Sequence, residues 1–267
     1  MNGKPSPRTM SVVNIVAFVG VVFVNFLSNA LPLNGRTAGE ISDALPSFFT
    51  PAGFTFSIWG VIYLSLTGFI VYQALPSQRG RPYVRRIGWL FVLTSLFNAG
   101  WLFAWHYGVY LLSVGLMVAL LVTLIALYLR LDIGRPDPNR LWTDRLLVQL
   151  PFSLYLGWIT VATIANAASV SAYLGWDGFG IAGPTWSAIM MGVAVIVAGL
   201  LLFNRRNLTY AAVLVWALNG IRAAYPNEPV IVNTAIVAAA LIIILALIGY
   251  IRTRPAEAPI TPQVNAA

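Results

Sequence analysis

Apolar runs of roughly 18 residues or more recur along this chain, each long enough to cross a bilayer core of about 30 Å. Composition agrees: 59% of the 267 residues are hydrophobic, only 9% are charged, and the mean hydropathy is +0.80. The runs are continuously apolar rather than alternating, which selects helices over a transmembrane barrel. The expected fold is therefore an all-α integral membrane protein with about eight transmembrane helices. The spans read as 11–31, 54–75, 87–106, 109–130, 146–171, 184–204, 208–224 and 230–251. The seventh is the shortest, with Asn219 and Arg222 toward its end. Lys4 and Arg8 precede a run ending in "LSNALP", but it is long for a signal segment and carries Asn14 and Asn25, so it reads as a retained helix.

Charge sets the orientation. Of sixteen Lys and Arg residues, fourteen fall on one side of an eight-helix arrangement, and only Arg36 and Arg222 on the other. The rule that cytoplasmic loops carry the excess of Lys and Arg puts both termini in the cytoplasm, with a bacterial cytoplasmic membrane as the expected location. The net charge of +8 is read the same way, as topology charge beside anionic headgroups, with no nucleic-acid partner.

Several chemistries find no support. There are no cysteines, hence no disulfide and no thiolate metal site. All eight Asp and Glu residues fall in loops or the tail of these spans, so a proton relay through intramembrane carboxylates is not expected. The single histidine, His106, sits at the outer end of the third span and reads as an interfacial hydrogen-bonding group.

Two outer loops are long and turn-rich: 32–51, which ends in aromatic Phe48 and Phe49, and 172–184, with Trp176 and Phe179. Such loops more often serve function than simple connection. Being on one face, they could together lid a cavity, although Trp176 and Phe179 also suit an interfacial aromatic belt. Gly192 and Gly199 could form a seam between copies, a possible homodimer, or pack within one chain. The proline-rich tail, 253–267, is expected to be disordered.

What remains is aromatic: nine Trp, eleven Tyr and fourteen Phe. On a helix, residues at i, i+3 and i+7 share a face. "FNAGWLFAWHYG" puts Asn98, Trp101 and Trp105 at that spacing. "LYLGWITVATIAN" collects Tyr155, Trp158, Ala162, Ala165 and Asn166 on one broad face, and "PAGFTFSIWGVIY" makes Trp59 and Tyr63 neighbours one turn apart. On any one helix, Asn and small residues are ordinary packing devices in lipid. Their recurrence beside Trp on three helices points to a shared cavity, suited to a flat hydrophobic molecule.

These three segments resemble the TspO/MBR family, the tryptophan-rich sensory proteins and mitochondrial translocator protein. Trp59 and Tyr63 match its Trp-x-x-Leu-Tyr motif in helix two, where Ala52 stands in place of a second proline. Asn98 and Trp101 match its Asn-x-x-Trp motif in helix three, and Trp105 stands where the family often has Phe. Tyr155, Trp158 and Asn166 match the helix-five run, with Leu154 replacing a proline. The resemblance covers about 11–170. It implies a five-helix core over 1–171 with 32–51 as a lid, followed by a three-helix extension over 172–252. It further implies a bound porphyrin, other tetrapyrrole, sterol-like molecule or lipid rather than an intrinsic cofactor, and a role as sensor, regulator or transporter. The site expected from the resemblance and the facing is Trp59, Tyr63, Asn98, Trp101, Trp105, Tyr155, Trp158, Ala162 and Asn166. Two rival readings stand beside it. One is a small-molecule secondary transporter using Asn219 and Arg222; the other is an intramembrane enzyme acting on a pigment or isoprenoid, with only tyrosines and His106 for acid–base work.

Overall fold

A computed structural model describes residues 6–251 apart from 32, 46, 136, 138 and 139. The tail expected to be disordered lies outside the described residues. Those residues are mostly helical, with no strand among them. Among the described residues, six helices are long and apolar enough to cross a membrane, and two further apolar helices of 17 residues each, Leu90–His106 and Leu208–Ala224, pack with them. The chain is an integral membrane protein.

In chain order the helices are α1 (Pro7–Ala30), α2 (Ala38–Ala44), α3 (Ile58–Ala74), α4 (Pro82–Ile87), α5 (Leu90–His106), α6 (Tyr110–Arg130), α7 (Trp142–Asp144), α8 (Leu150–Tyr173), α9 (Gly183–Arg205), α10 (Leu208–Ala224) and α11 (Pro229–Ile251). A π-helical turn, Arg145–Gln149, joins α7 to α8. Local chemistry places the ends. Ser6 caps α1 by accepting from the Thr9 N–H at 3.1 Å, with Pro7 in the first turn, where its missing N–H costs nothing. Arg206 takes a left-handed conformation (φ 51°) that stops α9, and Asn207 then caps α10 through the Tyr210 N–H.

Helices α1, α3, α8, α6 and α5 close a ring, each packed on the next, and α10 docks on the outside of α8. Helix α11 packs on α10, and α9 on α11. The close approach of α8 to α10 is made at Gly157, where an added Cβ would sit 3.0 Å from Val213 Cβ. One hydrophobic core runs through all of these helices, from Phe18 in α1 to Ile242 in α11. Lipid-facing positions such as Val16, Phe23, Leu64, Leu111 and Ile196 are exposed, forming the apolar belt that a bilayer covers.

Polar residues inside the spans tie helices together. Asn14 donates to Gln73 Oε1 at 3.1 Å, linking α1 to α3. Gly199 packs within the chain, with an added Cβ 3.5 Å from Leu245, whereas Gly192 has open space beside it. At the arginine-rich end, Arg81 pairs with Asp144, which also accepts from the Tyr72 hydroxyl at 2.9 Å, and Arg86 meets Asp132 at 3.1 Å. Asp144 is buried, so it is more than the loop residue its sequence position suggests.

At the arginine-poor end, loop one arches over the ring. It contains α2, fastened by a capping box: Glu40 N–H donates to Thr37 Oγ1 at 3.2 Å, and Thr37 N–H donates back to Glu40 at 2.7 Å. A 3₁₀ turn, Gly53–Ser57, leads into α3 and rests on α10, through Ala52 N–H to Gly220 C=O and Trp216 Nε1–H to Thr55 C=O, both 3.0 Å.

Candidate functional site beneath loop one

Three ring helices bring tryptophans to one place. On α3, Trp59 and Tyr63 are one turn apart and stack at 5.4 Å between ring centroids, 17° from parallel. On α5, Trp101 and Trp105 stack at 6.0 Å and 19°. From α8, Trp158 meets Trp59 edge-on at 6.4 Å and Phe56 at 5.6 Å. Edge-on and offset arrangements are those the ring quadrupoles favour. All four tryptophans line a single cavity of about 40 Å³, together with Ala162, Ala165 and Asn166 of α8. Ala38 and Ser42 of α2, with Pro51, form its roof.

The roof is tied to the walls. Trp105 Nε1–H donates to the Ala38 carbonyl at 3.2 Å, and Trp105 packs with Ile41, Leu45 and Val170 in a small core of its own. Thr50 meets Ser169 of α8, hydroxyl to hydroxyl, at 3.3 Å. Asn34 closes the end of α5 by donating to the His106 carbonyl at 3.0 Å. Asn166 is held by Ser113 of α6 through contacts of 3.2 and 3.3 Å.

Of the nine residues expected from sequence, six therefore share the cavity wall: Trp59, Trp101, Trp105, Trp158, Ala162 and Asn166. Asn98, Tyr155 and Tyr63 lie outside its lining. Two of them belong to a buried chain of hydrogen bonds: Asn25 Nδ2 donates to Asn98 Oδ1 at 2.9 Å, and Asn98 Nδ2 donates to the Tyr155 hydroxyl at 3.0 Å. Trp59 joins the two layers, stacking on Tyr63 and meeting Tyr155 edge-on at 5.9 Å. The indole N–H groups of Trp101 and Trp158 are buried with no hydrogen-bond partner among the described residues. A buried donor without a partner is costly, so the two indoles offer ready hydrogen bonds to an acceptor placed between them.

Sequence reasoning placed loop 32–51 over the cavity but missed Phe56, Val161 and Ser169 of the lining, the helix α2 within that loop, and Asn25. The roof had a signal in the Thr37-x-x-Glu40 capping box. His106 departs from the interfacial expectation: it is 3% exposed, with Nδ1 2.7 Å from the Leu102 carbonyl. Asn219 and Arg222 face away from the bundle interior, and Asn219 bonds back to the Val215 carbonyl at 3.0 Å.

Outside the membrane, electrostatics reinforce the roof. The Thr37 backbone N–H and then its hydroxyl hold the Glu40 carboxyl below its usual range. Burial, with Asp43 nearby, pushes the Tyr225 phenol up, and its hydroxyl donates to the Ser47 carbonyl.

With this geometry in hand, the sequence profile of the TSPO-like proteins matches residues 11–248. The chain belongs to the TSPO-like protein family. The match runs through α9, α10 and most of α11, so those helices lie inside the region that the TSPO-like profile describes. No curated protein and no solved structure is detectably similar to the chain.

Proposed function

We propose that this TSPO-like protein binds a flat hydrophobic molecule, a porphyrin or other tetrapyrrole or a sterol-like compound, in the aromatic chamber, and acts as its sensor, regulator or transporter. The observation that carries the reading is the meeting of Trp59, Trp101, Trp105 and Trp158, from three helices, at one cavity roofed by loop one. Their faces match a flat apolar ligand in chemistry, and the unpaired Trp101 and Trp158 N–H groups would orient it through an acceptor. In volume the chamber is closed. A drug-sized ligand needs about 300 Å³ or more, against about 40 Å³ here. Loading therefore requires the roof to lift, and Thr50–Ser169 and Trp105–Ala38 are the contacts that part. In this reading the arginine-rich end faces the cytoplasm of a bacterial cell, and ligand enters from the opposite side.

Titration of purified protein with protoporphyrin, followed by tryptophan fluorescence, tests the reading. Saturable quenching that weakens at least about tenfold in Trp101→Ala and Trp158→Ala is expected. Quenching that is non-saturable, or unchanged in both variants, overturns it.

A further inference from the structure

A second and much larger cavity lies on the other side of α8. It measures about 530 Å³ and occupies the gap between α8 and α9 at the arginine-poor end. Residues 163, 164, 167, 168, 171 and 172 of α8 form one wall, and Ser187 and Met190 of α9 the other. The aromatic chamber uses 158, 161, 162, 165, 166 and 169 instead. The two cavities thus take opposite faces of a single helix. The gap has a structural cause: α9 follows α8 in sequence, yet packs on α11 and α10.

The mouth of this cleft is built. Trp186 Nε1–H donates to the Gly178 carbonyl at 2.8 Å and holds the α8–α9 loop against α9. Trp176 packs on Trp186 at 5.5 Å. Asp177 is fixed by accepting from the Phe179 N–H at 3.0 Å. Ser47, Phe48 and Phe49 of loop one close the remaining side, with Phe48 against Tyr225 at 5.5 Å.

Charge indicates the occupant. Asp177 is the only ionisable side chain among the described lining residues; the rest are aromatic, aliphatic, small or hydroxyl-bearing. The surrounding end of the protein carries Glu40, Asp43, Asp177 and Glu228 against Arg36 and Arg222. A phospholipid phosphate or a carboxylate at this mouth would meet Asp177 without a counter-cation from the wall, whereas a cation would be attracted. The volume lies within the range that buries a drug-sized molecule. We propose that the α8–α9 cleft is a second binding site, for an apolar molecule carrying one cationic group, with its body between α8 and α9 and its charge at Asp177.

The site is separate from the aromatic chamber, and its test does not depend on that chamber binding anything. Two xanthene dyes of the same ring system serve as probes: cationic rhodamine 6G and net-neutral rhodamine B. They are titrated by fluorescence anisotropy into protein held in phosphatidylcholine nanodiscs, whose zwitterionic surface does not concentrate either dye. Rhodamine 6G is expected to bind saturably and about tenfold more tightly than rhodamine B, and Asp177→Asn is expected to remove that preference. The chain has no native cysteine, so Ala168→Cys in the cleft and Phe179→Cys on the exposed loop give single reactive sites. Rhodamine 6G should slow methanethiosulfonate labelling at Ala168→Cys and leave Phe179→Cys unchanged. Equal affinity for the two dyes, a preference that survives Asp177→Asn, or no protection at Ala168→Cys overturns the proposal. So does a phospholipid retained in the cleft by native mass spectrometry and displaced by Ala168→Trp but not by the dye.

Discussion

Asn98 of α5 donates its side-chain amide to the hydroxyl of Tyr155 on α8 at 3.0 Å, while its carbonyl receives Asn25 of α1 at 2.9 Å. One amide thus spans three helices of the ring, directly below the layer of tryptophans. The ring is held in register by this chain, and the aromatic walls are held with it.

Asn98→Leu is expected to lower stability by about 1–2 kcal/mol, because Asn25 and Tyr155 both lose a buried partner. In a double-mutant cycle with Tyr155→Phe, the coupling should be about 0.6 and at most about 1.7 kcal/mol, as for other hydrogen bonds between helices in lipid. Thermal unfolding in detergent reads both values.

Gly220 marks where loop one is seated. A Cβ placed there would lie 2.1 Å from Thr55 Oγ1 and 2.7 Å from Cγ2, and Thr55 is fully buried. Gly220→Ala should therefore cost about 1–3 kcal/mol and shift the lead-in to α3. Gly192→Ala, with nothing within 4 Å, should be neutral or slightly stabilising. Comparing the two melting curves separates loss of this contact from any general effect of altering a helix glycine.

The Thr37–Glu40 capping box predicts how the roof responds to acid. A carboxyl whose folded pKa is depressed contributes stability above its unfolded pKa and loses it as pH falls through the folded value. Between neutral pH and about pH 5 the roof should be unchanged; below about pH 4.5 α2 should loosen. Hydrogen exchange at residues 38–44 reads this directly. Glu40→Ala should show the faster exchange already at pH 7.

At the opposite end, Asp144 accepts from Tyr72 and pairs with Arg81 in a buried setting. Asp144→Asn removes the charge and keeps the shape, and is expected to cost about 2 kcal/mol, the range of hydrogen bonds to charged groups. Arg81→Lys should recover less than half of the pair in chemical unfolding, since an ammonium lacks the guanidinium fork.

The helices were legible because hydropathy and charge are local properties. The expected 109–130 and 208–224 agree with Tyr110–Arg130 and Leu208–Ala224 to within a residue. The tryptophan wall was legible because Trp101 and Trp105 share a helical face whatever packs on it. Other features depend on which helices meet. Asn25 finds Asn98 across 73 positions, and nothing in either segment names the other. The α8–α9 cleft is hidden for the same reason, since it exists only because α9 turns toward α11. Tyr63, Asn98 and Tyr155 shared the right faces but sit a turn too deep to touch the cavity, a distance along the helix axis that facing alone does not fix.

Helix α8 gives one face to the tryptophan chamber, another to the cleft, and a third to α10. Among the six long helices it is the least hydropathic and the most buried, while α11 is the reverse on both counts. Its sequence can be poor in lipophilic residues because protein surrounds it. That has a cost during synthesis: α8 leaves the ribosome before α10 exists to receive it, and of the six long spans its own has the lowest hydropathy. Its insertion is expected to lean on α3 and α6, already in place and packed against it in the finished fold, so polar substitutions in α8 should lower yield more than the same substitutions in α11.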